Sequence, residues 1–364
     1  MLNPLEKIQK SLRRKKISGL LVTQPENRRY LSGYTGTDLS IAESAGVLLV
    51  PARGTAMLFT DSRYLLQAEA EVDGIDLVLC RSTFFSSLQR VLAQLNFQSL
   101  AFESHYLLHA SALKLLGMGK KLNIAMVPTV GLVEKLRLQK SRAEIRAIQK
   151  AVLLNEQVFQ EIFARLKPGL TERHLAMQIE AKMKEKGADG VAFETIVAAG
   201  PNGALPHAVP TDRAIQKNEP IIIDMGLKLD GYCSDMTRTV VLGKPDKRTV
   251  AIFRLVRKAQ LAGQKKIKAG VTSRQADMAA RQIIKQAGYG PNFGHSLGHG
   301  VGLAVHEAPS LNKRQRNKLR QGMVVTVEPG IYIPGWGGVR LENMVVVNEK
   351  SCTLLNKDKT FLDL

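Results

Sequence analysis

The stretch Phe293 to Glu307, FGHSLGHGVGLAVHE, decides how this chain is read. It sets His295, His299 and His306 among glycines, in a run too Gly-rich to persist as a helix. A loop or twisted strand is expected there, with its backbone close against a neighbour. A lone histidine is usually a satisfied, partly buried side chain. Three in one short run, out of seven in the whole chain, point instead to a site.

Upstream lie the acidic partners such histidines need. Ile221-Ile222-Ile223-Asp224 reads as a buried strand ending in a carboxylate, Leu229-Asp230-Gly231 as a turn, and Cys233 to Val241 as the returning strand with Asp235. This hairpin is expected to set Asp224 and Asp235 nearly opposite each other, about 5 Å apart. Two like charges that close repel unless a cation lies between them. The pattern recurs downstream: Val324 to Glu328 is an apolar strand ending in a carboxylate, Ile333 to Gly337 a turn, and Gly338 to Val347 a return with Glu342.

A chain of 364 residues, 45% hydrophobic, accommodates two domains with ample core. The net charge of +20 would suit a polyanion. However, the basic residues at Lys10 to Lys16, Lys182 to Lys186, Lys265 to Lys268 and Lys313 to Arg320 fall on polar helical faces, and aromatics make up 5%. No stacking platform accompanies them, so solvated faces are expected and nucleic acid is not. Cys80, Cys233 and Cys352 are odd in number and far apart, which suits a reducing compartment. The segment MLNPLEKIQKSLRRKK lacks the apolar core of a signal peptide, and no run approaches the ~20 residues that span a bilayer. A cytoplasmic protein without a membrane segment is expected.

The first ~130 residues alternate short apolar strands with amphipathic helices, the pattern of an α/β domain. Helices are expected over Leu2 to Lys15, Ser62 to Glu71, Phe85 to Leu95 and Leu107 to Leu116. Strands are expected over Ser18 to Val22, Ala45 to Val50, Ala56 to Thr60, Asp76 to Cys80, Ser99 to Ser104 and Asn123 to Val127. His105 and His109 have helical i,i+4 spacing but no acidic ligand nearby in sequence, and read as surface or cap residues. A boundary within Gly131 to Leu136 divides the chain into 1–132, α/β, and 133–364, α+β. Ser141 with Glu144 forms a capping-box pattern that opens a long helix running to Leu166.

The second domain contains a repeat. Leu166-Lys167-Pro168-Gly169-Leu170-Thr171 and Ile267-Lys268-Ala269-Gly270-Val271-Thr272 each follow a long helix and open another. Each copy continues to a histidine loop and an acidic hairpin. The first passes through Phe193 to Val197 and His207 to Asp224 and Asp235, the second through His306 to Glu328 and Glu342. Matching positions lie 99 residues apart for His207 and His306, and 107 for Asp235 and Glu342. A duplicated α-α-β-β unit would bring both acidic hairpins around a pseudo-twofold axis. Four carboxylates and an imidazole suit manganese, cobalt or magnesium more than structural zinc, and suit two divalent ions better than one. Such a pair activates a water for hydrolysis, and spare histidines beside it would hold an oxyanion or pass protons.

On these residues the chain resembles the metallopeptidases of the methionine aminopeptidase and prolidase superfamily, with the pita-bread fold. The resemblance implies two divalent metals, manganese or cobalt foremost, with zinc or magnesium also compatible. By the family pattern Asp224 chelates one metal, Asp235 and Glu342 bridge, and His299 and Glu328 complete the second site. Glu328 is also the proton-transfer residue, while His207, His306, Arg340 and Tyr332 contact substrate, the two histidines stabilising the tetrahedral intermediate. Asn27 to Thr37, NRRYLSGYTGT, resembles the N-terminal signature of Xaa-Pro peptidases, and Leu136 to Glu144 and Gly338 to Asn343 resemble their linker and last motif. This branch implies cleavage between an N-terminal residue and proline in small proline-containing peptides, by a homodimer. The same resemblance leaves open a dipeptide-restricted prolidase and a metal-free pita-bread binding protein. Creatinase-like hydrolysis without metal is disfavoured because all five ligands are retained. Cys233 shares strand parity with Asp235, although a buried small hydrophobe is its expected role.

Overall fold

A computed structural model describes residues 3–360. Leu2, where the opening helix was expected to begin, and residues 361–364 of the expected second domain lie outside the described residues. The chain forms two compact units that part between Arg137 and Leu138. The sequence reading divides them at 132/133. Val133, however, is fully buried in the first unit's core with Leu20, Leu48 and Leu58. Arg137 also donates from Nη1 to Asn27 Oδ1 at 2.7 Å, which ties the segment to that unit.

The first unit is a sheet of β1 Gly19–Val22, β2 Val47–Pro51, β3 Ala56–Thr60, β4 Ile75–Leu79, β5 Ser99–Glu103 and β6 Ala125–Thr129. The strand order is β4-β3-β2-β1-β5-β6. β1 and β2 are buried at every position, because helices cover both faces and form separate cores. The helix Pro25–Ser32 was not anticipated, although Pro25 at its start and Gly33 in the left-handed conformation at its end both signal it. It carries the Asn27-Arg28 signature, whose role here is structural. Arg28 is fully buried, pairs with Asp38 at 2.9 Å and donates to the carbonyls of Gly36 and Gly46. Asn27 donates to the buried Glu103 at 2.6 Å. His105 lies in a turn before the helix His109–Leu122, and both histidines are exposed, in keeping with their reading as surface residues. The His105 Nε2 sits 3.2 Å from Glu134, an acidic neighbour that only the fold supplies.

The second unit shows the expected duplication. Arg142–Phe163 and Glu172–Glu185 pack on the strands Ile196–Ala199, Pro220–Met225 and Met236–Val241. Lys247–Lys266 and Ser273–Gln286 pack on Gly298–Gly300, Val324–Val327 and Asn343–Val347. Thr171 and Thr272 cap the second helix of each copy, and each also forms an isolated bridge, to Ala214 and to Lys318. The capping-box helix starts at Arg142 as expected and ends at Phe163.

Gly298–Gly300 is the twisted strand expected of the Gly-rich run. A Cβ on Gly298 would lie 2.1 Å from the Thr326 carbonyl oxygen, so only glycine permits this packing.

Candidate active site

Turn chemistry sets the first acidic hairpin. Asp230 and Gly231 both have positive φ, at 51° and 76°, which is the two-residue turn favoured by hairpin twist. This register pairs Asp224 with Thr237, not with Asp235. Asp235 therefore falls two residues further along, diagonal to Asp224 on the same face. The expected direct opposition is corrected: the turn sets Leu229 against Tyr232, and the same register carried along the hairpin sets Asp224 against Thr237. The second hairpin differs. Val327 pairs with Asn343 and Gly330 with Arg340, so Glu328 and Glu342 stand opposite each other where the ladder is interrupted.

All nine predicted site residues line one cavity of ≈ 610 Å³ in the second unit. They are Asp224, Asp235, His299, Glu328, Glu342, His207, His306, Arg340 and Tyr332. One donor atom each from Asp235, His299 and Glu342 lies within 4.8 Å of the others. His299 Nε2 is 3.5 Å from Asp235 Oδ2 and 3.4 Å from Glu328 Oε1. Its Nδ1 lies 3.1 Å from the Gly300 carbonyl, which can only accept, so Nδ1 carries the hydrogen and Nε2 presents a lone pair to the cavity.

The electrostatics of these groups favour a cation. Burial lowers the His299 pKa, so the ring is neutral and its contacts with Asp235 and Glu328 are not salt bridges. Burial, reinforced by the neighbouring carboxylates, holds Asp235 and Glu342 well above the usual carboxylate range. Burial also pushes Glu328 up to about 8, against the opposing charge of Arg340. Asp224 Oδ1 and Glu342 Oε1 are buried and have no hydrogen-bond partner among the described residues. An inward lone pair, buried carboxyl oxygens without a partner and clustered carboxyl groups that resist ionising without a counter-charge are the donor set of a divalent metal site, so the residues fit the group.

A polar network anchors this set. Thr237 Oγ1 donates to Glu342 Oε2 at 2.8 Å and accepts from Arg340 Nε at 3.1 Å. Arg340 donates from Nη2 to Asp224 Oδ2 at 2.6 Å, and from Nη1 to the Pro206 carbonyl and the Tyr332 hydroxyl. Behind the ligands, the fully buried Arg238 donates to the Glu342 carbonyl at 2.7 Å and pairs with Asp358, also at 2.7 Å. Glu156 in turn accepts from the backbone of Lys357 and Asp358.

His306 and His207 lie exposed at the cavity mouth. The His306 ring stacks edge-on against His299 with centroids 4.4 Å apart. Burial, then the adjacent imidazoles, lowers its pKa and keeps it neutral near pH 7.

His295 also lines the cavity, although no individual role follows for it from the sequence. His295 Nδ1 donates to the Ser296 carbonyl at 2.8 Å, and its Nε2 accepts from the Tyr332 hydroxyl at 2.9 Å. Burial and Arg340 push its pKa down to about 4, so it is neutral. Its membership of the same Gly-rich run was the available signal. Cys233 is not in the cavity. It packs among Ile148, Val152 and Val301, as expected for a small hydrophobe.

The fold and cavity together define a class, a two-domain metallopeptidase whose catalytic unit is duplicated. The chain belongs to metallopeptidase family M24: that family's model matches residues 146–349, and the creatinase/prolidase N-terminal domain matches residues 4–139. Among its relatives is an Xaa-Pro dipeptidase of Pyrococcus horikoshii, 33% identical, with the match covering 97% of this chain and 96% of the relative. A solved Xaa-Pro dipeptidase from Bacillus anthracis superposes with TM-score 0.91 at 37% identity, covering 98% of this chain and 97% of that one. An X-Pro aminopeptidase from Thermotoga maritima superposes with TM-score 0.87 at 34% identity, covering 96% and 98%. Divalent metal is thus part of the family's chemistry. No helix among the described residues is long and apolar enough to cross a membrane.

Proposed function

We propose that this chain is an Xaa-Pro aminopeptidase, releasing the N-terminal residue from peptides with proline in second position. Two divalent ions would be held by Asp224, Asp235, His299, Glu328 and Glu342. Manganese or cobalt fits this oxygen-rich set best, and zinc or magnesium is compatible. When bound, the metals supply Lewis-acid polarisation and an activated water. The substrate amine would sit on the Asp224 side of the site. Glu328 would take a proton at Oε1 and return it to the leaving nitrogen, a role suited to a carboxyl that burial tunes upward. His207 and His306, at the mouth, would hold the scissile carbonyl, and Tyr332 and Arg340 would position the proline side.

The observation that carries the reading is that nine residues from both repeats, chosen on sequence alone, line a single cavity. Treatment with EDTA should abolish Ala-Pro-Pro hydrolysis and manganese or cobalt should restore it. Turnover surviving complete metal removal, checked by elemental analysis, would rule the reading out. His306→Ala should lower kcat/KM by about 10²-fold, as expected on removing one oxyanion donor. A steady-state profile identical to wild type would remove His306 from the active site.

The names of the Pyrococcus horikoshii and Bacillus anthracis relatives favour a second reading, a dipeptidase restricted to Xaa-Pro. In that case Arg340 would hold the terminal carboxylate of the dipeptide. Four of its five donor hydrogens are already engaged by Thr237, Pro206, Tyr332 and Asp224, leaving one on Nη2. One donor suits a peptide carbonyl, whereas a bidentate carboxylate needs two. Product analysis with Ala-Pro and Ala-Pro-Pro side by side separates the readings. We also propose a cytoplasmic homodimer, which light scattering of the purified protein would check for assembly state.

A further inference from the structure

The active-site cavity is not the only depression in this part of the second unit. A groove of ≈ 960 Å³ adjoins it, and His295 and Ser296 line both. The groove's charged lining is entirely cationic: Arg281, Lys285, Lys313 and Arg314. Arg281 is a fixed part of the wall. Its guanidinium pairs with the buried Asp277 at 2.7 Å, donates to the carbonyls of Phe293 and His295, and stacks 4.1 Å over the Phe293 ring. The other three have no carboxylate partner among the described residues and are exposed. Unpaired cations converging on one groove create a local positive potential that a bound anion would relieve.

We propose that this groove is an extended substrate site, selecting peptides that carry an acidic side chain beyond the proline. The inference rests on the aminopeptidase reading, since a dipeptide does not extend past the cavity. Three features support it. The groove joins the cavity through His295, whose Nε2 is bonded to Tyr332, so both sit on the side assigned to proline. Its walls offer charge, and the Phe293 ring among them is already covered by the Arg281 guanidinium, which suits a carboxylate better than nucleobases. Its rigid side is held by a buried pair, so the pocket is formed before substrate arrives.

The test compares Ala-Pro-Gly-Glu with Ala-Pro-Gly-Lys on the metal-loaded enzyme, with Ala-Pro as reference. The acidic tetrapeptide should be cleaved with about fivefold to tenfold higher kcat/KM in low salt, mostly through KM. The preference should weaken in about 0.5 M salt, where the Debye length falls to about 4 Å. Reversing the charges together, Lys285→Glu, Lys313→Glu and Arg314→Glu, should invert the preference. All three side chains are exposed, and an unchanged melting temperature would verify the fold. Equal kcat/KM for the two tetrapeptides, or cleavage of Ala-Pro with neither tetrapeptide cleaved, overturns the groove while leaving a metal-dependent peptidase. Failure to cleave any of the three overturns the Xaa-Pro reading on which the groove depends.

Discussion

Asp224→Asn should lower kcat/KM for an Xaa-Pro peptide by about three orders of magnitude or more, with little change in thermal stability. The asparagine oxygen still accepts from Arg340 Nη2, so the local hydrogen bond at 2.6 Å survives. What disappears is the anionic charge available to a divalent ion, and losing several kcal/mol of charge stabilisation slows a reaction by about tenfold per 1.4 kcal/mol. Metal content measured alongside the kinetics distinguishes the causes. Reduced occupancy with reduced rate assigns Asp224 as a ligand, whereas wild-type turnover at full occupancy would contradict the assignment.

The second large effect concerns stability. Arg238→Met should destabilise the second unit by about 3–5 kcal/mol, the usual cost of removing one partner from a buried ion pair. Arg238 is fully buried and the Asp358 side chain is 1% exposed, so the orphaned carboxylate has no water to turn to. The same arginine donates to the carbonyl of Glu342, so metal affinity should fall as well. Denaturant melts and metal titration read the two effects separately, and a variant as stable as wild type would show that the pair contributes little. Asp358 also predicts a pH dependence. Burial raises its pKa, but Arg238 and hydrogen bonds from Thr360 and Gln160 outweigh this and leave it lowered. A carboxyl depressed on folding contributes stability above its unfolded value near 4, and that contribution is lost as pH falls through the lower folded value. Wild type should therefore lose this part of its stability only in acid, and Arg238→Met should lack that acid-labile component.

The chemistry of the site was legible in the residues because its signals are local. A carboxylate at the end of an apolar strand, a histidine among glycines and a turn at Asp230-Gly231 each lie within a few residues of their cause. The repeat added the step from separate motifs to one cavity, since two copies of a unit must share a core. The register was less legible. The expected near-opposition of Asp224 and Asp235 is off by two positions, because the hairpin register pairs Asp224 with Thr237. The polar network behind the ligands was not legible at all. Arg238 meets Asp358 across 120 residues of chain, and His105 meets Glu134, because packing rather than periodicity brings them together.

The amino-acid sequence by itself carried the family resemblance, the duplicated half and the set of polar side chains that line one cavity. Each of these follows from short-range patterning repeated along the chain. Only the tertiary structure decided that Asp224 and Asp235 stand diagonally, that four of the five Arg340 donor hydrogens are engaged, and that His295 lines both the cavity and a cationic groove. Those facts depend on how many hydrogen bonds each group has already spent on distant neighbours, and that count exists only once the chain is folded.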